Sequence, residues 1–254
     1  MNETYKVQVQ DLVDDLKAVF THAGLGGEAG EYKLLTQSFL YKFLNDKFLY
    51  QAKCLDEVNT YEHLLTLSED DYDWLLEDIG TSTAWLKPEQ LIETLHRQQN
   101  EATFYESFEN TLNQIAIDNN DIFSVHTDGD TAIRLFDERL ITDTISDSSK
   151  RNEVAKVIIN LLARVKFDES IFSQGFDFFS TLFEYMIKDY NKDGGGKYAE
   201  YYTPHSVAKI IADILVGNDQ PSNVRIYDPS AGSGTLLMNL ASRIGVDKTT
   251  VYSQ

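Results

Sequence analysis

The stretch Val224-Arg225-Ile226-Tyr227-Asp228-Pro229-Ser230-Ala231-Gly232-Ser233-Gly234-Thr235-Leu236 changes character twice. Pro221 precedes a short apolar run at 224–227 that reads as a strand. Residues 228–234 form a turn built from small side chains, and 236–244 returns to helical spacing before Gly245. Thr249-Thr250-Val251-Tyr252 reads as a second strand. Strand, turn, helix and strand in this order open a βαβ unit, whose two strands lie parallel. Small residues at 231, 232 and 234 let a ligand approach the backbone, and the helix that follows points its free amides toward it. The turn is not a phosphate cradle of the nucleoside-triphosphatase type, because no Lys-Ser/Thr follows the last glycine. It is also an incomplete dinucleotide fingerprint, since Leu237 stands where G-x-G-x-x-G needs its third glycine. Asp228 places a carboxylate at the strand end, which suits a ligand carrying an ammonium and a sulfonium. On pattern alone, a glycine turn with no ligand is the alternative.

A second constellation lies just upstream, at Glu200-Tyr201-Tyr202-Thr203-Pro204-His205. Thr203-Pro204 predicts a helix start, with threonine capping free amides and proline at the first helical position. Val207, Ile210, Ile211, Ile214 and Leu215 follow at helical spacing, and Gly217 closes the helix. Two aromatics beside a helix N-terminus are able to cover a cofactor face while the amides meet a carboxylate.

Residues 1 to about 190 read as nearly all helix. Leu12, Leu16, Val19 and Phe20 recur at helical spacing. Leu35, Phe39 and Phe43, with Leu40 and Leu44, predict a buried helix over 32–50. Pro88 is expected as the first residue of a helix carrying Leu91, Ile92 and Leu95. Phe104, Phe108, Leu112 and Ile115 space out another helix, as do Val154, Val157, Ile158, Leu161 and Leu162, and then Phe179, Leu182, Phe183 and Met186. Residues 119–130 are turn-rich, with Asp128-Gly129-Asp130 read as a turn. No internal repeat is present.

With 254 residues, 42% of them hydrophobic and 12% aromatic, the chain is long enough for one large or two ordinary globular domains. It carries 22 Lys+Arg against 41 Asp+Glu, a formal charge of −19. The imbalance is local: residues 1–150 hold 11 basic and 29 acidic side chains, residues 151–254 hold 11 and 12. Such a chain is poorly suited to coating DNA or an anionic membrane unaided, because phosphate binding rests on Lys and Arg displacing counterions. The densest acidic run, Glu69-Asp70-Asp71-Tyr72-Asp73-Trp74-Leu75-Leu76-Glu77-Asp78, is a solvated face or a docking surface for a basic partner. The near-neutral second part suits a site that admits a polyanion or a charged cofactor. The first fifteen residues show no secretory signal, and no stretch has the length of a membrane span, so a cytoplasmic protein is expected. A single cysteine, Cys54, excludes an internal disulfide framework and is expected to be an inert buried thiol. His22, His63, His96 and His126 lack metal-ligand spacing, so no metal site is expected from them. Residues 189–200, Asp-Tyr-Asn-Lys-Asp-Gly-Gly-Gly-Lys-Tyr-Ala-Glu, do fit the spacing of an EF-hand loop. Gly196 stands where a branched apolar residue joins paired loops, no second loop is present, and Pro204 interrupts the exit helix, so calcium is the weaker reading.

The combination Ala199-Glu200-Tyr201-Tyr202-Thr203-Pro204 with Asp228-Pro229-Ser230-Ala231-Gly232-Ser233-Gly234-Thr235-Leu236 resembles the modification (methyltransferase) subunits of type I restriction–modification systems. The two motifs together are specific; either alone also fits other adenine methyltransferases. The resemblance covers the whole chain, although Ala199 stands where the family commonly has glycine. It implies an α-helical N-terminal domain over 1–170. The start of a Rossmann-like α/β methyltransferase domain, dependent on S-adenosyl-L-methionine, would follow over 171–254. It further implies methyl transfer to the N6 amine of adenine in double-stranded DNA, with Glu200, Tyr201, Tyr202, Thr203, Pro204 and His205 together with Ser230, Ala231, Gly232, Ser233, Gly234 and Thr235 at the methionine end of the cofactor. Asp228 would lie near its charged groups. The implied partners are a DNA-specificity subunit, a second copy of the modification subunit and a restriction subunit. The family's catalytic Asn/Asp-Pro-Pro-aromatic tetrapeptide, which serves a flipped-out base, is not in these residues: Pro88, Pro204, Pro221 and Pro229 are all isolated. The tetrapeptide and the acid that binds the ribose are expected beyond Gln254, so the chain reads as a fragment and is predicted inactive alone. Two other readings fit the same residues, a non-catalytic docking module for a basic specificity subunit and a stand-alone adenine methyltransferase.

Overall fold

The structure, a computed structural model, describes residues 3–26, 29–81, 83–123, 134–167, 169–172, 203–219, 221–232 and 234–254. The chain divides into two compact units, one of residues 11–172 and one of residues 173–254 with 1–10.

Among its described residues the first unit contains helices and the turns that join them, and no strand. Its elements are α1 (Glu3–His22, entering from the other unit's residues), α2 (Ala29–Leu55), α3 (Tyr61–Leu64), α4 (Glu69–Ile79), α5 (Ile92–Gln98), α6 (Phe104–Asp118), α7 (Asn120–Phe123), α8 (Leu140–Thr144), α9 (Ser148–Arg164) and α10 (Glu169–Phe172). The periodic apolar residues do form the core: Leu12, Leu16 and Phe20 on α1, Phe104, Phe108, Leu112 and Ile115 on α6, and Val154, Ile158, Leu161 and Leu162 on α9 are all buried. α2 runs longer than the 32–50 expected, and Leu34, Leu35, Phe39, Tyr41, Leu44, Phe48 and Ala52 are buried around much of its circumference. A helix covered on that many sides must satisfy its polar residues internally. Asp46 does so by accepting from Lys42 Nζ at 3.0 Å, from Asn45 Nδ2 at 2.8 Å and from the Phe167 amide at 2.7 Å. Burial pulls the Lys42 ammonium below its ordinary pKa, and the Asp46 carboxylate opposes that shift.

The helix expected to begin at Pro88 is split. Pro88–Gln90 forms a 3-10 turn, and α5 begins only at Ile92 after an extended Leu91. The cause lies on α2: Tyr41 Oη donates to the Gln90 carbonyl at 2.6 Å, and Asn45 Oδ1 accepts the Ile92 amide at 2.9 Å. Side chains from a neighbouring helix thus take the backbone groups that a continuous helix would pair within itself. The acidic run becomes α4, where Ser68 caps the Asp71 amide and Glu69, Asp70 and Asp71 sit at the positive end of the helix.

The second unit holds α11 (His205–Val216), β1 (Val224–Asp228), α12 (Thr235–Ile244) and β2 (Thr249–Ser253). β1 and β2 pair in parallel, Val224 opposite Thr249 through Asp228 opposite Ser253, with α12 as the crossover. The expected strand–turn–helix–strand order is present. Ile226, Leu237 and Ala241 form its core, with Val224, Ala231, Leu240 and Ile244 packed around them. No helix among the described residues is long and apolar enough to cross a membrane.

Two expectations for α11 require correction. Its N-cap is Pro204, with no side-chain cap, so Thr203 stands one residue outside the helix and proline is not the first helical residue. The carbonyl of Pro204 accepts the amides of Val207 at 3.0 Å and Ala208 at 3.1 Å, so the fixed φ of proline serves at the boundary itself. The buried face is also different. Ala208, Ala212 and Val216 are buried, whereas Val207, Ile210 and Ile211 are exposed, as are Ile214 at 74% and Leu215 at 67%. Alanines allow α12 to approach closely, and that close contact selects the small-residue face over the bulkier one.

Candidate cofactor site

The site is built where β1 ends. Asp228 Oδ1 accepts the Ser230 amide at 2.9 Å, and the Asp228 carbonyl accepts the Gln254 amide at 3.0 Å. The Ala231 amide donates to the Gln254 carbonyl at 3.2 Å. The root of the turn is therefore laced to the end of β2. Gly232 and Gly234 adopt φ of +55° and +74°, where an L side chain costs about 1–2 kcal/mol. The Gly234 amide closes the turn on the Ala231 carbonyl at 2.8 Å. Gly234 is also the N-cap of α12, so its residue type leaves that helix start without a side-chain cap. Among the described residues, a Cβ placed on Gly234 would meet only Met238 Cγ, at 4.0 Å. Glycine is required there by conformation. The turn thus combines the positive end of a ten-residue helix with the carboxylate of Asp228. Chemically, it suits a ligand bearing both an anionic and a cationic group.

The second constellation meets this turn through one side chain. Asn239, buried on α12, donates from Nδ2 to the Thr235 carbonyl at 2.8 Å, and the same nitrogen lies 3.1 Å from His205 Nδ1. Farther along, Arg243 Nε donates to Asp213 Oδ1 at 2.8 Å and Arg243 Nη2 to the Gly217 carbonyl at 2.9 Å. α11 and α12 are tied at both ends of their contact.

Asp228, Ser230, Ala231, Gly232, Gly234 and Thr235 lie in one turn and the first helical residue after it. Thr203, Pro204 and His205 lie at the start of α11, joined to α12 through Asn239. Glu200, Tyr201, Tyr202 and Ser233 lie outside the described residues. So do the EF-hand spacing at 189–200, the turn at 128–130, His126 and the helix expected around 179–186. Among the described residues, no group of three or more His, Cys, Asp and Glu is placed to hold a metal ion. Cys54 is exposed in the last turn of α2, not buried as expected. The residue that sequence reasoning missed is Asn239. Its signal was a lone amide among Leu237, Met238, Leu240 and Ala241, where a buried polar side chain carries more information than an apolar one.

Residues 174–253 match the family model described as N-6 DNA Methylase, and the glycine turn and the start of α11 fall within the matched residues. The wider chain is similar to methylase subunits of type I restriction enzymes. It is 23% identical over 257 residues to the type I restriction enzyme MpnII methylase subunit of Mycoplasma pneumoniae, covering 97% of this chain and 45% of that protein. It is 24% identical over 137 residues to the MjaIX methylase subunit of Methanocaldococcus jannaschii, covering 49% of this chain and 24% of that protein. The fold is shared with the crystal structure of a type I restriction–modification methyltransferase subunit from Streptococcus thermophilus, at a TM-score of 0.67 and 20% identity. That match covers 99% of this chain and 52% of the other. The chain thus spans less than half the length of the two relatives.

Proposed function

We propose that this chain is the helical domain and the first cofactor-binding unit of a type I modification subunit, which transfers a methyl group from S-adenosyl-L-methionine to adenine N6 in DNA. On this reading, residues 171–254 begin a Rossmann-like methyltransferase domain and residues 1–170 form the helical domain before it. The observation that carries it is the turn from Asp228 to Thr235, set between β1 and α12 of a parallel βαβ unit and tied through Asn239 to the start of α11. The methylase match over 174–253 supports the same reading.

The residues fit the amino-acid end of this cofactor. A carboxylate is suited to the backbone donors at the start of α12, and an ammonium or sulfonium to Asp228. Ser230, Ala231, Gly232, Ser233, Gly234 and Thr235 would form one wall, and Glu200, Tyr201, Tyr202, Thr203, Pro204 and His205 the other. When bound, the group supplies an electrophilic methyl on sulfur. The chain's own contribution is to hold that end and exclude water from it. No Asn/Asp-Pro-Pro-aromatic sequence occurs in the 254 residues, so no residue here is assigned to the base, and the isolated chain is expected not to methylate DNA. The working form would be cytoplasmic. It would include a DNA-specificity subunit, a second modification subunit and a restriction subunit, which would offset the formal charge of −19.

Titration of the chain with S-adenosylmethionine, S-adenosylhomocysteine and ATP tests the assignment. Both adenosyl amino acids are expected to bind and ATP not to. Asp228→Ala should weaken the first two about tenfold or more, the scale of one charge-assisted contact. Equal binding of ATP, or an Asp228→Ala variant that binds as wild type, would refute it.

A second reading, compatible with the first, assigns the helical unit to docking. On α4 the acids Glu69, Asp70, Asp71, Asp73, Glu77 and Asp78 are all exposed, together with Trp74. Co-purification with a basic specificity subunit, lost when these acids become Gln and Asn, is the corresponding test.

A further inference from the structure

We infer that Asn239 is the positioning residue of the cofactor site, holding the start of α11 in register with the glycine turn. The inference rests on the cofactor reading above and adds to it a residue that touches neither end of the ligand. One amide nitrogen, on a residue 7% exposed, serves both motifs: it donates to the carbonyl of Thr235 at 2.8 Å and lies 3.1 Å from Nδ1 of His205.

The chemistry of the pair fixes the direction of each bond. A carbonyl only accepts, so the amide must turn its nitrogen, not its oxygen, toward Thr235. That nitrogen has a second hydrogen, and the imidazole nitrogen beside it must accept it. With Nδ1 accepting, the ring proton of His205 sits on Nε2. Thr235 is the first helical residue after the glycine turn, and His205 is the first helical residue after Glu200–Pro204. Asn239 thus links the residue that follows the glycine turn, Thr235, to the first residue of α11, His205, which lies 34 positions before Asn239 in the sequence. Small displacements at such positions weaken every contact that depends on their spacing.

The helix pair is held at other points as well. Arg243 holds Asp213 and the Gly217 carbonyl at the far end of the helix pair, and Ala208, Ala212 and Ala241 remain buried. Asn239→Leu, which keeps the volume and removes the donor, is therefore expected to fold with an unchanged circular dichroism spectrum. Its affinity for S-adenosylmethionine should fall about tenfold, the effect of one lost neutral hydrogen bond. Combined with His205→Leu, it should cost no more than His205→Leu alone, because both changes break the same link.

Long-range 1H–15N spectra of the five histidines supply a readout that a general loss of packing would not give. Wild type should show His205 with Nδ1 unprotonated, and Asn239→Asp, which only accepts, should move a proton onto Nδ1. That variant also keeps the test open should the leucine variant fail to fold. An Asn239→Leu variant that binds S-adenosylmethionine like wild type, losses that add in the double variant, or a His205 signal indifferent to Asn239→Asp would overturn the inference and leave the cofactor reading standing. Wild-type protein that does not bind S-adenosylmethionine at millimolar concentration would overturn the cofactor reading, and the inference with it.

Discussion

Individual side chains carry unequal weight in this molecule. Removing Asp46 would leave the Lys42 ammonium buried without its counter-charge and three donors without their acceptor. Asp46→Ala is accordingly expected to destabilise the helical unit by about 3–5 kcal/mol, measurable as a shift in the urea midpoint at unchanged slope. Tyr41 and Tyr72 carry the pH dependence at the alkaline end. Their hydroxyls donate to the carbonyls of Gln90 and Leu86, each at 2.6 Å, and burial raises both phenols well above the ordinary tyrosine pKa. A folded-state pKa raised above the unfolded value gives stability that is present below about pH 10 and lost as pH rises beyond it. Unfolding free energy should therefore fall between pH 9 and pH 11. Tyr41→Phe should flatten that fall, while costing about 1–2 kcal/mol at pH 8 for the unpaired Gln90 carbonyl. Lys42, held below its ordinary pKa, works in the opposite sense up to about pH 10 and then saturates. The two glycines of the turn and its one acid, Asp228, were legible in the sequence because their requirement is local: a positive φ and a carboxylate at a strand end. Asn239 was not, because its two partners are a carbonyl and an imidazole that only the folded chain brings together.

At the level of elements, α1, α2, α6 and α9 were legible because one apolar stripe announced each, as on α6, where all four predicted residues are buried, whereas the acids of α4 hid the buried stripe of Tyr72, Leu75, Leu76 and Ile79. α11 resisted for a physical reason. Its sequence is apolar on more than one side, and the face chosen against α12 is the one with Ala208 and Ala212, which a hydrophobic pattern ranks below isoleucine and leucine. The prediction that follows separates the two faces. Ile214→Gln should alter stability by less than about 0.5 kcal/mol, as exposed substitutions do. Ala212→Leu should cost about 1–3 kcal/mol by overpacking the α11–α12 contact. Thermal denaturation of the two single variants decides between this face and the one that periodicity favours. The split at Leu91 teaches the same lesson, since Pro88 marked a helix start correctly in kind, yet Tyr41 and Asn45 of α2 divide it.

Over the whole molecule, charge divides more sharply than length. The first 150 residues carry nearly all of the net negative charge, and DNA affinity depends on releasing counterions to Lys and Arg. The chain alone is expected to show no measurable shift of duplex DNA at about 150 mM salt, and a gel-shift titration checks this. Radiolabelled methyl transfer by the isolated chain should likewise stay at background. The central claim is narrower than either: that the turn after β1 and the segment before α11 together hold an adenosyl sulfonium donor. Ultraviolet cross-linking of methyl-labelled S-adenosylmethionine to the chain, followed by tryptic mapping, tests it directly. Label is expected on the peptides spanning 198–209 and 226–243, which carry the two motifs, and it should be competed by S-adenosylhomocysteine. Label confined to peptides of the helical unit, or label displaced equally by ATP, would contradict the account.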